Sequence, residues 1–180
     1  DATNTVDSLV CAITPISYEH TQKLGNTLRE IAYEKAGIIK SSSPVISAPQ
    51  EKEAGIVIGN KCQEYGAKLY VVGSQIHYEC RGLSFSIKGA WGEYKDLQIR
   101  LKGAHQFVNA AVAVGVIEAL RFHGLTIGSE AIKNGLYKTV SSFKNRAGAG
   151  HSFPGEEGSE NCVARHVGHG APFPHRKVTH

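Results

Sequence analysis

Methionine is absent from this sequence, at position 1 and everywhere else, and tryptophan occurs once, at Trp91. A chain that opens on Asp1 without methionine is expected to be a piece of a longer protein. No apolar run approaches the roughly 20 residues needed to cross a bilayer, and a signal peptide is not expected. A soluble protein, away from the membrane, is expected. The four cysteines, Cys11, Cys62, Cys80 and Cys162, include no close pair of the kind that binds zinc or does redox work. A length of 180 residues needs no disulfide staples, so a reducing cytoplasm fits best. Clustered Lys and Arg are missing too: the net charge of +4 is spread along the body, which argues against a nucleic-acid groove. Nor is there a glycine-rich phosphate loop of the G-x-x-G-K-S/T kind, whose backbone amides and lysine would cradle a γ-phosphate.

What is present has a globular composition, 41% hydrophobic, in a length that ordinarily buries one core with at most a second small unit. The stretch from Cys11 to Lys40 organises the rest. Leu9 to Ile13 is a short apolar run with β-branched members, suited to a buried strand of a parallel sheet, and Pro15 stops regular pairing. Gly25 and Asn26 offer a turn and a helix cap. Leu28, Ile31, Ala32 and Lys35 then share one helical face, and Gly37 stands where a left-handed cap would end it. On that face Lys35 is the odd member. Either it snorkels to solvent and favours the helix dipole, or its pKa is lowered and its neutral amine takes up carbon dioxide to become a carbamate. A carbamate is an anionic oxygen ligand, acceptable to a hard cation such as magnesium. His20 lies in the loop after the strand, where open α/β sheets place ligands, and is either an exposed loop histidine or part of a site.

Further along, Pro44 to Ser47 reads as a strand, Gln50 to Tyr65 as a helix weakened by Gly55 and Gly59, and Lys68 to Val72 as another strand. This is a βαβ pattern. From Ile76 to Leu101 the texture alternates, and IHYEC, LSFSI and LQIRL predict three antiparallel strands, with Trp91 as a packing anchor. Ala104 to His123 predicts a helix buried on most sides, with His105 and Asn109 neighbours near its start. Asn109 either ties a loop to the helix or offers its donor and acceptor to an adenine edge. Ser129 is expected to cap a last helix, with Ala131, Ile132, Leu136 and Val140 on its apolar side.

The run SLVCAITPISYEHTQKLGNTLREIAYEKAGIIK resembles the central segment of the bacterial folylpolyglutamate synthase and dihydrofolate synthase family, within the Mur ligase superfamily. DATN at the start, GAWGEYKDL and GAHQFVNA continue the resemblance, which covers roughly residues 1–140. Glu19 stands where the family usually has aspartate. The resemblance implies an α/β fold: part of a Mur-ligase-like central ATPase domain, a mostly parallel sheet flanked by helices, with a small antiparallel sheet at about 75–101. It makes His20 a magnesium ligand and Lys35 the lysine that becomes carbamoylated to hold a second magnesium. It places Asn109, with His105 and Gln106 in support, against the ATP base.

After residue 140 the match fades: SSFKNRAGAG replaces the family's Pro-Gly-Arg stretch, and Arg146 is at most a displaced counterpart of its arginine. Residues 141–180 are rich in Gly and His and poor in aliphatics, so a disordered or out-of-frame tail is expected. His151, His166, His169, His175 and His180 show no regular ligand spacing.

The function implied by the resemblance is that of an ATP-dependent amide ligase, adding L-glutamate to dihydropteroate or folate polyglutamates through an acyl phosphate. Magnesium would assist, with potassium or another monovalent cation on family grounds, in a cytoplasmic monomer without nucleic-acid or membrane partners. Lacking the phosphate loop, which the family carries upstream of DATN, and the carboxyl-terminal domain, this chain alone is expected to have little activity. The competing readings are a non-catalytic nucleotide-binding remnant and a fragment of a Mur-type peptidoglycan ligase. The wording of SAPQ, GAWGEY and EKAGIIK favours the folate branch.

Overall fold

The computed structural model describes residue 4 and residues 7–17, 27–82 and 84–139. Three short parallel strands, β1 (Cys11–Ile13), β2 (Val45–Ser47) and β3 (Leu69–Val71), lie side by side in that order. Cys11 pairs with Val45 and Val45 with Leu69. Parallel neighbours need a crossover rather than a tight turn, and the helices α1 (Leu28–Ala36) and α2 (Lys52–Tyr65) lie within the two connections. Every residue of β2 is buried, as a central strand covered on both faces requires.

Strand alternation assigns successive side chains to two cores. Cys11, Ile13 and Val45 pack with Leu28, Ile31 and Ala32 of α1 and with Ala54, Ile58 and Cys62 of α2. Ile46, Tyr70 and Val72 face the other way, into a core shared with the next helix and a second sheet.

The start of α1 is a capping box. Glu30 N–H donates to Thr27 Oγ1 and Thr27 N–H to Glu30 Oε2, each at 3.2 Å. The cap expected at Gly25 and Asn26 is therefore supplied by Thr27; residues 25 and 26 lie outside the described residues. Gly37 is not left-handed, with φ of −59°. Its lack of a side chain admits Asn4, whose Nδ2 would lie 2.6 Å from a Cβ there and which donates to the Glu34 carbonyl at 3.1 Å.

The antiparallel sheet comprises β4 (His77–Arg81), β5 (Ser84–Lys88) and β6 (Glu93–Leu97). Its third strand is EYKDL and not LQIRL. Gly89 N–H donates to the Gly92 carbonyl at 2.8 Å, so the turn uses only residues 89–92 and pairing resumes at once, Lys88 with Glu93 and Ile87 with Tyr94. A register shift, with Asp96 at φ of 54°, then brings Leu97 opposite Phe85. The expected strand contributes only Leu97.

The buried helix α3 (His105–Ala119) continues as a 3-10 turn through Leu120–His123, close to the expected span. In α4 (Ser129–Lys138) the cap position is Gly128, so Ser129 is the first helical residue and makes no capping bond. Ile132 is buried there and Leu136 is partly buried, while residue 140 lies outside the described residues. Among the described residues no helix is long and apolar enough to cross a membrane.

Candidate functional site

α3 runs antiparallel to the strands. Past its carboxyl end, His123 Nε2 lies 2.9 Å from the carbonyl of Leu9, ahead of β1, and in mid-helix Gly115 lies against Ile46 of β2. Its amino end therefore points toward the carboxyl ends of the strands, where open α/β sheets bind ligands. Phe107 fixes that end, meeting Phe85 edge-on at 5.1 Å and stacking with Tyr78 at 6.4 Å. On this turn the three sequence-picked residues form one string. Asn109 Nδ2 donates to Gln106 Oε1 at 3.2 Å, and Gln106 Nε2 lies 2.9 Å from His105 Nε2. His105 is exposed, Gln106 and Asn109 half-buried. Gly103, at φ of 107°, leaves room for the His105 ring, which a Cβ would meet at 2.5 Å.

At the carboxyl ends of β1 and β2, Gln50 ties two loops together. Its Nε2 donates to the Thr14 carbonyl at 2.9 Å and to Ser47 Oγ at 3.2 Å, and its Oε1 accepts from Ile16 N–H at 2.9 Å. This holds the segment that leads toward His20, which itself lies outside the described residues. Sequence reasoning used Gln50 only as a helix start. Its signal was a long amide side chain following a buried strand.

Lys35 is half-buried in the last turn of α1, on the opposite face of the parallel sheet from α3. That turn is pinned beside the start of β1 by the Asn4 to Glu34 bond and by Cys11 Sγ, 3.5 Å from the Ile38 carbonyl. Among the described residues Lys35 has no ion pair or hydrogen-bond partner, and no three His, Cys, Asp or Glu side chains are grouped to hold a metal. Arg146 and the five tail histidines lie outside the described residues.

A further polar residue escaped the sequence reading. Glu118, only 6% exposed, lies on α3 and accepts from Ala90 N–H at 3.0 Å and from the Tyr94 hydroxyl at 3.1 Å. Burial pushes its carboxyl above the usual range, against the opposing pull of these bonds and of Arg121. An acid inside a nearly all-apolar helix was the available signal.

No family model matches the chain. It is 36% identical over 150 residues to the dihydrofolate synthase/folylpolyglutamate synthase of Bacillus subtilis, a match covering 78% of this chain and 34% of that protein. Its backbone superposes on an FPGS–AMPPCP complex with a TM-score of 0.73 at 25% identity, over 78% of this chain and 36% of that one. It also matches the Mycobacterium tuberculosis folylpolyglutamate synthase complexed with ADP and AMPPCP, with a TM-score of 0.67 at 29% identity, over 78% of this chain and 34% of the other.

The chain belongs to the dihydrofolate synthase and folylpolyglutamate synthase family. Its α/β fold is that of these Mur-ligase-like synthases, and it spans about a third of the length of the Bacillus subtilis protein and of these two structures. Of the residues that the family resemblance singled out, the fold brings together His105, Gln106 and Asn109 and sets Lys35 apart on the α1 layer.

Proposed function

We propose that this chain is the central nucleotide-binding part of an ATP-dependent amide ligase that adds L-glutamate to dihydropteroate or to the glutamyl chain of a folate. The observation that carries this reading is the string His105, Gln106 and Asn109 at the amino end of α3, in a chain 36% identical to a synthase of that name. Asn109 spends one N–H on Gln106. Its other N–H and its Oδ1 complement the acceptor and the amino donor on an adenine edge. Gln106 fixes the amide's orientation, and His105 closes the string on the solvent side. The folate branch is favoured over a peptidoglycan ligase because relatives from bacteria, yeast and plants carry folate-enzyme names.

In this chemistry a substrate carboxylate takes the γ-phosphoryl group and the amine of glutamate displaces phosphate from the acyl phosphate. Magnesium, when bound, supplies neutralisation of charge on the transferring phosphoryl group. His20 and Lys35, the latter as its carbamate, are the proposed ligands. Lys35 is half-buried and its side-chain nitrogen has no ion-pair or hydrogen-bond partner among the described residues, which leaves it unengaged for that role. Potassium or another monovalent cation assists, and the protein works as a cytoplasmic monomer. Domain limits of 1–140 for the ATP-binding part and 141–180 for the tail belong to the same proposal.

The competing reading is nucleotide binding without ligation. A chimera decides between them. Residues 7–139 replace the matching segment of the Bacillus subtilis relative, and glutamate addition to dihydropteroate and to tetrahydrofolate is measured. Turnover that falls about tenfold or more in kcat/KM for ATP on Asn109→Ala supports the ligase reading. A folded chimera that binds ADP and forms no amide supports the second. The 180-residue chain alone is expected to show little or no turnover, and near-normal turnover would overturn that part of the proposal.

A further inference from the structure

Glu118 lies on α3 nine residues beyond Asn109, roughly 13 Å along the axis at about 1.5 Å per residue, so it is not part of the proposed adenine end. Its surroundings are built around it. The 89–92 turn folds over the carboxyl, with Ala90 N–H donating to Oε2 at 3.0 Å. Tyr94 on β6 bonds Oε1 at 3.1 Å. A side chain at Gly89 would collide with the carboxyl, and a Cβ at Gly92 would stand 3.0 Å from both Oε1 and the Tyr94 hydroxyl. Trp91 is packed at the same place, its ring 4.7 Å from that of Tyr70 and 5.3 Å from that of Phe122.

We propose that Glu118 is a proton-sensitive clasp: its neutral carboxyl holds the 89–92 turn closed on α3, and its ionisation loosens the turn together with Trp91. As a neutral acid, the carboxyl accepts the Ala90 N–H on its carbonyl oxygen and donates its O–H to Tyr94 Oη, so the enclosed carboxyl stays hydrogen-bonded and no charge is buried. As a carboxylate it keeps those donors but places a charge beside Trp91, Ile117 and Leu125.

Among the described residues, the titratable or charged groups facing it are Tyr94 from β6 and Arg121 from the 3-10 turn. The segment after that turn contributes only Leu125, Thr126 and Ile127. Tyr94 is itself pushed up to about 12, by burial first and by the Glu118 charge second, so its phenol stays protonated. In the closed form burial raises the Glu118 pKa more than the bonds and Arg121 lower it. With the turn open and the carboxyl hydrated, that rise is lost. The closed form therefore binds the proton more tightly, so acid closes the clasp and base opens it.

Trp91, the single tryptophan, reports on the turn directly. Its emission is recorded on the full chain from about pH 4 to about pH 9, spanning the carboxylate and histidine ranges. A single red shift is expected as pH rises, with a midpoint above the ~4.3 of an ordinary glutamate. Glu118→Gln, whose amide accepts the Ala90 N–H and donates to Tyr94, should remain blue throughout. Tyr94→Phe, which removes a bond favouring the ionised form, should move the midpoint upward. The same step in Glu118→Gln, or a folded native chain without any step, overturns the proposal. If Glu118→Gln does not fold by circular dichroism, Tyr94→Phe decides alone, and an unmoved midpoint is then the overturning result.

Discussion

Truncating Glu118 to alanine leaves the Ala90 N–H and the Tyr94 hydroxyl around an empty space. Unpaired buried donors cost about 1–3 kcal/mol each before relaxation, and we expect Glu118→Ala to lose roughly 2–4 kcal/mol in urea unfolding followed by circular dichroism. The pH dependence has a definite sign. Because the folded-state pKa of Glu118 is raised, the folded chain binds the extra proton between the ordinary carboxylate pKa and the raised one. The stability this contributes is present at low pH and is lost as pH rises through that window. Glu118→Gln should thus gain on the native chain steadily as pH climbs from about 4, and parallel stability curves for the two proteins would refute this. Gly115 makes a second residue-scale case. A Cβ there would meet Ile76 Cδ1 at 2.6 Å and Ile46 Cγ2 at 2.9 Å. Ile46 is β-branched and stiff, so Gly115→Ala is expected to lose about 1–3 kcal/mol by overpacking, despite alanine's higher helix propensity.

The elements differ in how openly their residues announce them. In α1 the cap pairs Thr27 with Glu30 three positions on, and Thr27→Ala should cost about 1 kcal/mol in a denaturant titration. That signal was local, yet Gly25 and Asn26 competed with it as stronger turn formers. The end of α1 was hidden in another way. Nothing near Gly37 shows that Asn4, distant in sequence, fills the space beside it. The third strand of the small sheet was misplaced because LQIRL alternates more cleanly than EYKDL, whereas pairing with β5 depends on where the 89–92 turn closes. The shifted register puts Asp96 at φ of 54°, a conformation that β-branched residues resist. Asp96→Val is therefore expected to destabilise the sheet by roughly 1–2 kcal/mol, and Asp96→Gly to be tolerated, as thermal unfolding would show.

Across the whole molecule, the parallel sheet separates two cores, and that separation sorts the candidate residues. Lys35 belongs to the α1 layer, while His105, Gln106 and Asn109 sit at the opposite face on α3. Binding of ADP to the chain, read by calorimetry, should weaken about tenfold in Asn109→Ala and change little in Lys35→Ala, because the proposed lysine role lies with phosphate and metal and not with the base. Equal losses in both variants would contradict that division. The order of strands and helices, the burial of α3 and the family to which the chain belongs were all legible from residues alone. Each rests on periodicity or on contiguous motifs, which neighbours in sequence carry. The register of β6, the packing of Gly37 against Asn4, the Gln50 tie between two strand ends and the enclosure of Glu118 were decided only by the tertiary structure. In each of these the partner is distant in the chain or selected by a turn, and local sequence does not encode the distance between segments that only folding brings together.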